Sequence, residues 1–211
     1  MGLKYCDPRA QITTITGPGF SSAVGYLDCW ERWADAIPSA PGRFATLDAM
    51  EVGNGGMSLA EQQAVFSLYA LVKTPLYIGA DVTTLAGDTL AVYTNAAVIA
   101  WNQDALGQPG RRVRRDGDPK GELWAGALAG NAGAAVMVNR GADAMNVTVQ
   151  WVDFGPELGG GNPYFGPMNV TNAWTGESTR VDCDDRGCAG AGTTQLVAAR
   201  SAVALTIRPM K

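Results

Sequence analysis

Among the side chains of this chain that could move protons, carboxylates stand out by their placement. The sequence contains no histidine. That removes Ser-His-Asp, Cys-His and histidine-ligated metal chemistry together. Acid–base work falls to Asp, Glu, Lys, Tyr or Cys. One stretch concentrates suitable groups: LDAMEVGNGGMSLAEQQAVFSLYALVKTPLYIGAD, from Leu47 to Asp81. Asp48 stands at the end of a strand-like segment beside a glycine-rich bend. Asp81 closes a second strand-like, apolar segment, and a helix pattern lies between them. Acids at the C-terminal ends of neighbouring parallel strands face one rim, where sites are built. Each acid also has a purely local reading. Asp48 could bond nearby loop amides, Asp81 could cap a following helix, and Asp104 in NQDALG could fix a turn between two halves of the chain.

The elements that would position these acids alternate in type. QITTIT, residues 11–16, is rich in β-branched residues and reads as a strand. In SSAVGYLDCWERWADAI the residues Val24, Leu27, Trp30, Ala34 and Ile37 recur at steps of three and four. This predicts an amphipathic helix from Ser21 or Ser22, ended by Pro38 and Pro41, with Trp30 and Trp33 as packing residues. RFATLD is the next expected strand. Ser58 and Glu61 have capping-box spacing and launch a helix from Leu59 to about Lys73, stopped by Pro75. LYIGA is a third strand, a further helix is expected from Thr84 to Thr94, and NAAVIAWNQDALG leads out. Such alternation indicates a parallel sheet with crossover helices. From Gly107 onward the texture changes to short β runs separated by Gly, Asn and Asp. ELWAGALA, AAVMVNRG, NVTVQWV, VTNAWTG and AVALTIRP fit a small antiparallel sandwich. The expected division is therefore residues 1–106 and residues 107–211.

Composition narrows the partners. Of 211 residues 46% are apolar and 17% charged, enough for a sizeable core, and the net charge of −4 offers no footprint for nucleic acid. The basic run Arg111–Arg115 reads as an ordinary solvated strand or loop. Cys183 and Cys188 in CDDRGC could close a small loop as a disulfide, and Cys29 could meet Cys6. A zinc site would want a second cysteine pair or a histidine. Asn146-Val-Thr and Asn169-Val-Thr match the N-glycosylation acceptor pattern. The N-terminus MGLKYCDPRA lacks the apolar core of a signal peptide, and no stretch has the length and apolarity of a membrane span. A secretory-looking body with no visible signal suggests a chain that has lost its beginning.

The words DAMEVGNGGMSLAEQQAVFSLYALVKTPLYIGAD and NAAVIAWNQDALGQPGRRV, in that order, resemble the late barrel segment of glycoside hydrolase family 27, the α-galactosidases and α-N-acetylgalactosaminidases. ELWAGAL, VMVNRG, NAWTGES and SAVALTIRP are similar to that family's C-terminal β domain, so the resemblance spans residues 11–211. It implies the last strands and helices of a (β/α)8 barrel followed by an antiparallel β-sandwich. It implies a retaining glycosidase without a cofactor, acting on a terminal α-galactosyl bond through two carboxylates about 5–5.5 Å apart. It implies Asp48 as the sugar-hydroxyl ligand, aligned with the second Asp of the family's Asp-Pro-Asp. It also implies a secreted, lysosomal or vacuolar location and an α-galactoside as partner, with no nucleic acid or membrane. The sequence departs from the family where the catalytic pair should stand. The acid/base position falls on Ile15, which cannot donate a proton. Asp7 in LKYCD lies one place late against the nucleophile pattern, so the catalytic residues stay unassigned. Three strands cannot close a barrel. The remnants are expected to pack on the sandwich, to pair with another chain (a homo-oligomer among the options), or to belong to an incomplete product. The expected function is an α-galactosidase-like hydrolase represented by a fragment lacking the full catalytic pair. A non-catalytic carbohydrate-binding or interaction module, or an inactive degenerate product, is the alternative.

Overall fold

The computed structural model of the chain describes residues 19–35, 39–116, 121–154, 166–182 and 191–210. The expected strand over 11–16, together with Asp7, Ile15, Cys6, Cys183 and Cys188, lies outside them.

Four helices come first: α1 (Phe20–Trp33), α2 (Leu59–Leu71), α3 (Gly87–Tyr93) and α4 (Ala96–Asn102). The reason for α2 is local and complete. Ser58 Oγ accepts from the Glu61 amide while Glu61 Oε2 accepts from the Ser58 amide at 2.8 Å, a closed capping box. From Ala64 to Leu71 every residue of α2 is buried, the mark of a helix surrounded by protein. It packs on α1, α3 and α4 and on the sheet beyond. Its chain reverses at Lys73, which holds φ of 57° and is followed by Thr74 and Pro75. The α3 helix is shorter than expected, and α4 forms where the sequence reading had only a lead-out. Asn95 caps α4 by accepting from the Val98 amide at 2.9 Å.

Eight strands follow: β1 (Arg111–Asp116), β2 (Gly121–Leu128), β3 (Ala132–Asn139), β4 (Met145–Gln150), β5 (Met168–Asn172), β6 (Ser178–Val181), β7 (Gly192–Val197) and β8 (Ser201–Pro209). Six make one antiparallel sheet in the order β1-β2-β3-β8-β5-β6, and β4 and β7 pair as a second sheet. Side chains alternate between faces along a strand. On β3, Ala132, Ala134, Val136 and Val138 therefore join the helices in one apolar cluster. Ala135 and Met137 join β4 and β7 in another. The large sheet is thus covered on one face by the helices and on the other by the second sheet. Trp101 Nε1 donates to Thr206 Oγ1 at 2.9 Å, and Trp174 Nε1 donates to Ser67 Oγ at 3.0 Å, so a buried and a partly buried indole stitch helices to sheet.

Two expectations change. RFATLD and LYIGA do not form strands. Between them there is one parallel bridge, Met50 with Ile78, in which Met50 N donates to Tyr77 O at 2.8 Å and Gly79 N donates to Met50 O at 3.0 Å. A strand needs a ladder of partners, and among the described residues these segments have no further strand beside them. The basic run is not a solvated strand either. Arg112 donates to Asp28 Oδ1 at 2.5 Å and to Glu122 Oε1 at 3.3 Å. Arg140 grips Asp28 at 2.7 and 3.0 Å and Glu122 at 2.7 Å. Arg115 and Trp124 Nε1 also donate to Glu122, at 3.2 and 2.9 Å. Glu122 is fully buried, so the arginines supply the charge its carboxylate requires. Burial alone would raise the carboxyl of Asp28, but the hydrogen bonds and charges of Arg140 and Arg112 outweigh it and hold it below the usual range. This network ties α1 to β1, β2 and β3. Trp30 is buried and packs at 6.4 Å from Trp124, a packing role as the helical spacing predicts. Cys29 is buried and disulfide-bonded.

Candidate functional site

Asp48 is exposed and has φ of 71°, a left-handed conformation that Asp tolerates better than most residues. Its backbone turn is fixed on both sides. Asp48 N donates to Thr46 Oγ1 at 3.1 Å, and Asp48 Oδ1 accepts from the Ala49 amide at 2.8 Å. Oδ2 makes no hydrogen bond to a described residue. The local reading, an aspartate bonding a nearby loop amide, therefore accounts for one carboxylate oxygen and leaves the other open to an external donor.

The loop carrying Asp48 is held from beneath by hydroxyl groups. Leu47 N donates to the buried Thr74 Oγ1 at 2.9 Å. Tyr69 Oη, from α2, donates to Leu47 O at 3.4 Å. Tyr93 Oη, from α3, donates to Val52 O at 2.7 Å. Burial pushes the Tyr93 hydroxyl up to about 12, with the Glu51 charge adding to it. Burial also raises the Tyr69 hydroxyl, helped by Tyr26, Asp48 and Glu51. Burial likewise raises the half-buried Tyr26 on α1, with Asp48 and then Glu51 adding to it. All three phenols thus stay protonated at neutral pH, and those of Tyr69 and Tyr93 act as donors to this loop. Glu51 Oε2 accepts from Asn54 Nδ2 at 2.8 Å, and Asn54 Nδ2 also reaches Gly79 O at 3.2 Å. That side-chain bridge joins the glycine bend to the segment before Asp81. Gly53 allows the closeness: its φ is 92°, and a Cβ there would stand 3.0 Å from both Ala80 Cβ and Leu85 Cδ2.

Asp48 and Asp81 do not share a rim. Asp48 lies two residues before Met50 and Asp81 three residues after Ile78, on opposite sides of their bridge. Asp81 does cap, but it caps a turn rather than α3. Its Oδ1 accepts from Thr83 N at 2.9 Å and Thr83 Oγ1 at 2.7 Å. Those bonds, the hydroxyl first, hold its carboxyl below the usual range. Asp104 Oδ1 accepts from Leu106 N and from Ala129 N, both at 3.0 Å, and so joins the turn after α4 to the β2–β3 hairpin. Among the described residues no group of three or more His, Cys, Asp and Glu is placed to hold a metal ion. The sequence reading singled out Asp48 but not Glu51, Tyr26, Tyr69, Thr74 or Tyr93. The one available signal was tyrosine recurring on otherwise apolar helices, where a buried hydroxyl needs a partner.

Residues 18–104 match a family model described as Alpha galactosidase A, and residues 118–207 match one described as Alpha galactosidase C-terminal beta sandwich domain. Alpha-galactosidase 2 of Arabidopsis thaliana is 41% identical over 125 residues, covering 59% of this chain and 31% of that protein. The alpha-galactosidase of Coffea arabica is 45% identical over 108 residues, covering 51% of this chain and 28% of that protein. The chain spans less than a third of the length of either relative. Among solved structures, an alpha-galactosidase of Saccharomyces cerevisiae with raffinose superposes with a TM-score of 0.73 at 22% identity, covering 89% of this chain and 51% of that one. Alpha-galactosidase I of Mortierella vinacea gives a TM-score of 0.73 at 22% identity, covering 97% and 51%. The fold is that of the late barrel portion and the C-terminal β-sandwich of such proteins.

Proposed function

Because the chain belongs to glycoside hydrolase family 27, the α-galactosidase family, we propose that it supplies the sugar-binding rim and the β-sandwich of an α-galactosidase-like retaining hydrolase. Asp48 accepts hydrogen bonds from hydroxyl groups of a terminal α-galactosyl residue. The observation that carries this reading is its carboxylate: exposed, on a left-handed turn, with Oδ1 tied to Ala49 N and Oδ2 free among the described residues. A charged acceptor held in one orientation binds a hydroxyl more strongly than a neutral one and loses little freedom in doing so. The family's acid/base position falls on Ile15, so this reading rests on galactose binding at Asp48 rather than on hydrolysis by this chain alone. The disulfide-bonded Cys29 and the two glycosylation triplets support a location outside the cytosol, secreted or vacuolar. Among the described residues no helix is long and apolar enough to cross a membrane.

The test is thermal unfolding with increasing galactose. The wild type gains melting temperature with ligand. Asp48→Ala and Asp48→Asn each weaken binding about ten- to a hundredfold, the equivalent of about 1.5–3 kcal/mol for a hydrogen bond to a charged group. Equal galactose shifts in wild type and both variants would contradict the assignment.

A further inference from the structure

We propose that Asn146 is an acceptor for an N-linked oligosaccharide whose first sugars lie over the outer face of the β4–β7 pair, against Leu196. The proposal stands apart from the sugar-cleaving reading. It concerns the opposite side of the molecule and a sugar attached rather than one bound.

The chain carries two Asn-Val-Thr triplets, at 146–148 and 169–171, and the fold treats them differently. In β4, Val147 and Val149 are completely buried against the large sheet, so Asn146, Thr148 and Gln150 occupy the other face. Asn146 is exposed. Its cross-strand partner is Leu196, which at 70% exposure leads the exposed large hydrophobic side chains among the described residues. On the same face Thr148 Oγ1 lies 2.8 Å from Thr194 Oγ1. This patch therefore has an open amide, the hydroxyl residue the acceptor pattern requires, and an uncovered isobutyl group side by side. Asn169 is half-buried on β5, a strand bonded on both sides, and it stands between Arg180 and Arg208. Its Nδ2 is already turned toward Thr171 Oγ1 at 3.5 Å.

The chemistry needs a lipid diphosphate-linked oligosaccharide as donor. Asn146 Nδ2 bonds to the anomeric carbon, the bond from that carbon to the diphosphate oxygen breaks, the lipid diphosphate leaves with the electron pair, and one amide proton is released. No oxidation or reduction occurs. Once attached, the C–H face of the first pyranose covers Leu196 and removes apolar surface from water. It also covers β4 and β7, which among the described residues pair only with each other.

The test translates the full 211-residue chain behind a cleavable leader in a cell-free system with glycosylating microsomes. This reads occupancy whether or not a variant folds. The wild type gains an endoglycosidase-sensitive mass step that Asn146→Gln and Thr148→Val each remove and that Asn169→Gln leaves in place. No step in the wild type, or a step count unchanged by Asn146→Gln, overturns the proposal. For the folded secreted chain, enzymatic removal of the glycan raises binding of a hydrophobic dye, and Leu196→Thr abolishes the rise. Dye binding unchanged by deglycosylation would overturn the contact with Leu196.

Discussion

The β-sandwich and the loop bearing Asp48 solve the same problem in opposite ways. Every buried backbone donor and acceptor needs a partner. In β2 and β3 the ladder supplies those partners residue by residue, from Gly121–Asn139 to Leu128–Ala132, and both strands are buried throughout. In the barrel portion the two extended segments share one bridge. The rest of the support comes from side chains: Thr74, Tyr69 and Tyr93 bond the backbone of Leu47 and Val52. A ladder fixes strands and leaves little to adjust. Hydroxyl props hold a bend in a left-handed turn, which presents a carboxylate outward. At the surface the two regions are alike: Tyr77, Ile78, Val82 and Leu90 are exposed on the barrel side, and Val152, Leu196 and Met210 on the sandwich side.

The sharpest way to break the comparison is to cut what joins the two regions. Glu122→Ala leaves three guanidinium groups without their shared buried carboxylate. It should cost about 3–5 kcal/mol in urea unfolding, because Arg112 and Arg140 keep Asp28 but part of their buried positive charge goes uncompensated. It should also separate the loss of helix signal from the loss of sheet signal. A cost under 1 kcal/mol would mean the network is ornamental. The next effect is local. Thr74→Val keeps the shape of the side chain but strands the buried Leu47 amide, at about 1–3 kcal/mol. It should lower galactose affinity along with stability while leaving the sheet signal unchanged at low denaturant. A stable variant with normal galactose binding would show that the loop does not depend on its props.

The smallest effect is in pH. The carboxyls of Asp28 and Glu61 are held below their ordinary values. Burial opposes this in both; Arg140 and Arg112 outweigh it at Asp28, and the Ser58 amide and Arg200 outweigh it at Glu61. A depressed value means stability that is present above the unfolded pKa, about 4 for these groups. It is lost as pH falls through the folded value. Glu31 runs the other way: burial, only partly offset by Arg112, raises it, so acid relieves a cost there. Unfolding free energy measured from pH 7 to pH 3 should therefore fall on the acid side. Asp28→Asn should start lower and fall less steeply. Parallel curves for wild type and variant would remove Asp28 from the account.

What was legible in the sequence follows the same division. The α2 helix could be read because Ser58 and Glu61 announce it locally. The β2, β3 and β8 strands could be read because their apolar runs are long. Four-residue β6, exposed along most of its length, carried no such run, and β7 mixes Thr and Gln into its inner face. The α4 helix was missed although Asn95 marks its cap, since seven residues hold too few turns for a period to show. RFATLD and LYIGA have strand composition, but a ladder also needs neighbours, and composition does not supply them. Asp48 stands out through its place in the family's Asp-Pro-Asp pattern. Its supports do not, because Tyr69 and Tyr93 lie 22 and 41 residues from the carbonyls they bond. The ion network escaped for the same reason: Asp28 and Arg112 are 84 residues apart.

The central claim is that galactose meets this chain at Asp48. Amide chemical shifts recorded during a galactose titration test it most directly. The account predicts saturable shifts at Asp48, Ala49 and the bend through Gly53, absent in Asp48→Ala and absent with glucose at equal concentration. Shifts confined to the β-sandwich, or the same shifts in Asp48→Ala, would contradict it.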